Sequence, residues 1–226
     1  MESDGNQLVT GPIYIGEIVG STFVTEKLLA AGKTSTVFIA RSKGNQEANR
    51  VALKMQPIGS EYSTLNNDIA VLNSIESKKQ FPKIYRFGTH RQFSFLAMQL
   101  LGPTLSDIIK RPMMKKLSIS SVAKVGIQGL EALSTLHSAG FVHGNIRLEN
   151  FAIGYTKETA GNIYLIGFAM SKRINNEDLN IETQNGQKSD NKTNEDRLNS
   201  KTKLIQNDLF QLLKMIMALY RGIDEV

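Results

Sequence analysis

With 226 residues, 41% apolar and 21% charged, the chain has a globular composition and can bury a sizeable core as one large domain or two small lobes. No apolar run approaches the ~20 residues of a spanning helix, and the polar start MESDGNQLVT carries no secretory signal, so neither membrane insertion nor export is expected. The absence of cysteine excludes disulfide-linked partners and thiolate chemistry, and the net charge of +6 is spread among acids without interleaved aromatics, which argues against a nucleic-acid partner. A cytoplasmic protein is predicted, with the nucleus as the alternative.

In chain order, residues 1–20 read as an N-terminal extension. From Phe23 to Met55, FVTEKLLAA, STVFIARS and RVALKM are short apolar runs rich in β-branched residues and predict three strands, with Gly32 and Gly44 at the reversals. Leu65, Ile69, Leu72 and Ile75 form a helical stripe within Tyr62–Ser77, and KIYRFGTHRQ with FSFLAMQLL reads as a further hairpin. Five strands and one helix make a small lobe over 21–101.

After Leu101-Gly102-Pro103 the pattern turns helical. Val122, Val125, Ile127, Leu130, Leu133 and Leu136 predict a helix from Ser118 to Gly140, capped by Ser118 or Ser120. FAIG and IYLIGF follow as two short strands around a turn containing Gly161. Residues 171–206 are polar and lack aromatics, and read as a flexible loop within a second lobe over 102–226. DLFQLLKMIMALYRG, apolar nearly all round, predicts a core helix.

The strand ending VALK, then LLGPTL, then HGNIRLENFAIG, then IYLIGFAMSKR follow one another in the order and spacing of a protein kinase. The chain resembles that fold from Phe23 to Ser171 and again near Asn207, and within it the casein kinase I group, with FAIG similar to the tau-tubulin kinase branch. The resemblance implies an α+β, bilobal architecture, with a five-stranded lobe plus one helix and a mainly helical, truncated second lobe.

It also implies a nucleotide site and its parts. Gly32 and Val37 would belong to the phosphate-covering turn, which keeps one of its three glycines, and Ala52 and Lys54 to the lysine strand. Asp68 stands where the family has a glutamate to hold that lysine, one methylene shorter, so the pair is expected stretched or bridged by water. Met98 would be the gatekeeper, and Gln99 to Leu101 the adenine-binding hinge. His143 keeps its loop position, Arg147 replaces a lysine near the γ-phosphate, and Asn150 matches a ligand for Mg²⁺. Phe168 keeps its packing position in the metal-binding triplet.

Three departures bear on the chemistry. Gly144 replaces the arginine that grips a phosphorylated activation loop. Asn145 replaces the catalytic aspartate, and a carboxamide has no useful basicity. Gly167 replaces the aspartate that bridges Mg²⁺ to phosphates, which leaves Asn150 as one neutral, weak ligand. The expectation is therefore a pseudokinase with doubtful ATP binding and weak or absent Mg²⁺ binding, serving as a scaffold or allosteric partner that binds another protein, such as an active kinase or its substrate. The alternatives are a serine/threonine kinase of the casein kinase I group with residual phosphotransfer, or a truncated, non-functional remnant.

Overall fold

The computed structural model describes residues 12–43, 50–60, 64–75, 78–111, 117–174 and 194–222, with backbone only at 194–198. Gly44, Glu61, Glu76 and positions 175–193 lie outside the described residues. The chain divides into two compact units, Met1–Ile69 with Lys83–Leu100, and Ala70–Pro82 with Leu101–Val226.

The first unit is an antiparallel sheet of β1 (Ile18–Val19), β2 (Phe23–Ala31), β3 (Thr36–Ser42), β4 (Val51–Pro57), β5 (Ile84–His90) and β6 (Phe93–Gln99), in the order β1-β2-β3-β4-β6-β5. The sheet thus has six strands rather than five, because Ile18 and Val19 pair with Val24 and Phe23. A two-residue strand offers no alternation to read. Residues 12–20 are accordingly part of the unit, and Glu17 is only 6% exposed. Its carboxylate accepts hydrogen bonds from His90 and Arg91, and Arg86 donates to Thr22 at 2.5 Å, so the first strands are tied to the last. The core face carries Val19, Phe23, Phe38, Leu53, Met55 and Phe95. Helix α1 (Thr64–Ser74) begins in this unit, and the unit boundary runs through it.

Ala70–Pro82 was expected with the first lobe, yet it belongs to the second unit. Leu165 donates its N–H to the Gln80 carbonyl at 2.9 Å, the Gln80 amide reaches Glu131 at 2.7 Å, and Phe81 stacks on Phe168. Here β7 (Leu101–Thr104), β9 (Phe151–Gly154) and β10 (Ile163–Leu165) form a three-stranded sheet, and β8 (Phe141–Val142) pairs with β11 (Lys172–Arg173). The short helix α2 (Leu105–Ile109) precedes α3 (Ile119–Ser138), whose N-cap is Ser118, its hydroxyl accepting from the Ser121 N–H.

The last helix, α4 (Asn194–Arg221), starts well before the expected Asp208, so the part of the predicted loop from 194 to 206 is helical. The segment is polar but rich in helix formers, and extending an anchored helix costs far less than nucleating one. Leu212, Met215 and Leu219 are buried, Leu212 lying against Gly129 of α3, while Phe210, Leu213, Met217 and Tyr220 form an exposed apolar stripe. The helix was read as apolar on all sides and therefore central, but among the described residues only one face is covered. No helix among them is long and apolar enough to cross a membrane.

Candidate functional site

In the first unit, β4 presents Lys54 and Gln56 on one face, two residues apart. The buried Gln56 side chain accepts from the Leu65 N–H at 2.9 Å, which fastens the first turn of α1 to the strand. Asp68, one turn further on, is thereby brought to Lys54, and Nζ donates to Oδ2 at 2.5 Å with side-chain exposures of 12% and 5%. The shorter aspartate was expected to leave this pair stretched or water-bridged, but the contact is direct. Val37 pairs with Lys54 in the sheet register, and half-buried Met98 pairs with Ala52. The Gly32 N–H donates to the Ser35 carbonyl at 2.8 Å, so the turn closes on itself. The Gln99 N–H is likewise engaged, donating to the Lys83 carbonyl at 2.8 Å.

In the second unit, the segment after β8 is anchored from below by α4. Asp208, fully buried, accepts from the backbone N–H groups of His143 at 2.8 Å and Gly144 at 2.9 Å, and meets His137 Nε2 at 2.9 Å. Burial pushes its pKa up, but the hydrogen bonds from His137, His143 and Gly144 outweigh this and hold it below the ordinary value. Gln211, one turn along, accepts from the Ile146 N–H at 2.7 Å. His143 is buried: Nε2 lies 3.1 Å from the Ile166 carbonyl, and Nδ1 3.3 Å from the Asn145 N–H. Together these partners select the tautomer with its proton on Nε2. Its ring meets Phe168 edge-on at 5.3 Å, so His143 and Phe168 pack as a pair.

Arg147 does not stand free. Its Nε donates to Glu149 at 2.7 Å, and Ser106 donates to the same carboxylate at 3.2 Å. The Arg147 hydrogen bond is the main cause that lowers the Glu149 pKa to about 2. Leu101 opens β7 opposite Gly154 and sits in this unit, apart from Met98 and Gln99.

The protein kinase domain family matches residues 23–202. The chain belongs to the protein kinase family. It is 25% identical over 159 residues to a Dictyostelium discoideum protein named as a serine/threonine-protein kinase, covering 70% of this chain and 32% of that one. It is 28% identical over 166 residues to a Caenorhabditis elegans protein named as a casein kinase I, covering 72% and 48%, and 26% identical over 156 residues to casein kinase I homolog 2 of Schizosaccharomyces pombe, covering 69% and 35%. The chain thus spans a third to a half of the length of these relatives.

A kinase holds Mg²⁺ between carboxylate, amide and phosphate oxygens, and the residues present here do not fit that ion. Asn150 donates Nδ2 to the Asn145 carbonyl at 2.8 Å, and its Oδ1 is turned over Gly167. Gly167 is at φ +79°, and a Cβ built there would lie only 3.0 Å from Asn150 Cγ and closer still to Oδ1. The asparagine amide therefore fills the place from which a side chain at 167 would grow. Gly144 is similar: at φ +74°, a Cβ would come within 2.8 Å of the Met170 carbonyl. At both positions glycine holds a positive φ, and a neighbouring group occupies the space that a Cβ would take. Among the described residues no three acidic, histidine or cysteine side chains gather as a metal site. Motif reading missed Gln56, Gln211 and the Ser106–Glu149 contact, since each depends on a partner in a different element.

Proposed function

We propose that this chain is a pseudokinase of the casein kinase I group, in its tau-tubulin-like branch. It transfers no phosphate and works as a scaffold or allosteric partner for another protein, an active kinase or its substrate, in the cytoplasm or nucleus. The observation that carries this reading is the Asn150 amide packed over Gly167 beside Asn145. Two carboxylates of the family pattern are missing at once, and the space one of them would need is filled. General-base and metal catalysis each contribute orders of magnitude to rate, so losing both leaves positioning alone. The exposed stripe on α4 is the kind of surface that packs against further protein, whether more of a longer chain or a partner.

A second reading, weak nucleotide binding with residual phosphotransfer, is favoured by one feature. The Lys54–Asp68 pair has the arrangement that a kinase uses to present its lysine to phosphates.

A thermal-shift titration with ATP, with and without Mg²⁺, separates the two. The pseudokinase reading expects either no shift or one indifferent to Mg²⁺. A large Mg²⁺-dependent shift together with γ-phosphate transfer would overturn it.

A further inference from the structure

The first unit carries an apolar concavity on the face of its sheet that holds Phe38 and Met55. A cavity of about 690 Å³ lies there, between the segment Pro12–Ile15 and the turn Gly32–Ser35. That volume is within the ~300–1,000 Å³ typical of small-molecule pockets. Strand alternation separates it from the nucleotide face of the family: Thr36, Phe38 and Met55 line the cavity, whereas their neighbours Val37 and Lys54 point to the other side.

The wall formed by residues 12–15 is tied in place. The Thr25 hydroxyl donates to the Tyr14 carbonyl at 2.7 Å, and the Tyr14 N–H donates to Glu17, itself held by His90 and Arg91. The interior is apolar, with Ile13, Phe38, Met55 and Phe93. Tyr14, Ile15 and Leu28 also line it while 63%, 54% and 49% exposed, so large apolar groups remain wet around a ready-made cavity. Its lining includes Lys33 and several hydroxyls but no carboxylate, and among the described residues Lys33 makes no ion pair.

We infer that this cavity binds a single-chain amphiphile with an anionic head. The aliphatic tail lies against Phe38, Met55 and Phe93, and the head meets Lys33 at the mouth. The site shares the turn Gly32–Ser35 with the phosphate-covering loop of the family pattern but uses neither Lys54 nor the segment His143–Asn150, so it does not rest on the pseudokinase reading.

The test uses the full chain and NMR of the Ile13, Leu28 and Met55 methyl groups, titrated with decanoate and, separately, decylammonium below their micelle concentrations. Decanoate is expected to shift these methyls saturably and decylammonium to bind more weakly. Lys33→Glu should weaken decanoate about two- to fivefold and reverse the head-group preference. Leu28→Glu, on the exposed rim, should weaken it about tenfold by placing a like charge where the tail enters. The proposal fails if the methyls do not move, or if both head groups bind alike and Lys33→Glu changes nothing. Binding that appears only after Leu8→Asp and Val9→Asp would show that the chain's own N-terminal residues fill the cavity, and would equally overturn it.

Discussion

The amide of Asn150 sits where a side chain at position 167 would begin, so the two positions are sterically coupled. Any side chain at 167 therefore requires the Asn150 amide to swing aside. Gly167→Ala should cost about 2–4 kcal/mol, from the positive φ and the overlap together. Urea denaturation of Gly167→Ala, Asn150→Ala and the double variant checks this. The double should cost clearly less than the sum, and strict additivity would mean the two residues do not touch. Asp at both 145 and 167 should restore no Mg²⁺-dependent thermal shift, and the appearance of one would mean that the displaced Asn150 amide turns to share the ion.

Asp208 gives the second unit an acid limit. Its folded pKa is depressed below the unfolded value, so its contribution is present above the unfolded pKa, near 4, and is lost as pH falls through the folded value. Asp208→Asn should flatten the dependence of stability on pH below ~4, and Asp208→Ala should cost about 3–5 kcal/mol at neutral pH. An unchanged acid slope in Asp208→Asn would assign that slope to other groups.

Lys54 and Asp68 should behave as a buried pair. Lys54→Met and Asp68→Leu should each cost about 3 kcal/mol by stranding the other charge, while the double variant recovers most of that loss. Denaturation of the three variants gives the coupling directly. Nucleotide binding, where any is found, should vanish in Lys54→Met.

Glu17 predicts a local effect in the first unit. Burial raises its pKa, but hydrogen bonds from His90, Arg91 and the Tyr14 N–H bring it below the ordinary value. Its stabilising contribution is therefore complete above pH ~4.5 and fades on acidification below it. Glu17→Ala should speed hydrogen exchange at the Gly16 and Thr25 amides, which bond across to the Thr25 and Glu17 carbonyls, before it affects β4 or β6. Uniform acceleration across the sheet would mean that residues 12–19 do not open separately.

The strands from Phe23 to Gln99 were legible because alternating apolar residues and turn glycines are local patterns. Ile18–Val19 was not, being fixed by its partner strand alone. The start of α4 was hidden for a different reason: its composition is polar, and its helicity is continued from the anchored segment around Asp208 and Leu212. Lys54 and Asp68 in the first unit, and His143, Asn145, Asn150 and Gly167 in the second, were singled out by their resemblance to kinase motifs. The direct Lys54–Asp68 contact depends on Gln56 clasping α1, and the filled space at Gly167 on one asparagine rotamer. Neither leaves a mark in sequence spacing.

Asp208 and Gln211, three residues apart on α4, grip the catalytic loop through the main-chain amides of His143, Gly144 and Ile146. A main-chain amide is the same whichever side chain follows it. The mould that shapes this loop is thus blind to what is cast in it, and replacing an aspartate by Asn145 or an arginine by Gly144 leaves these bonds in place. Contour and side-chain chemistry are stored in different atoms, so the shape of this loop is set independently of what its side chains can do.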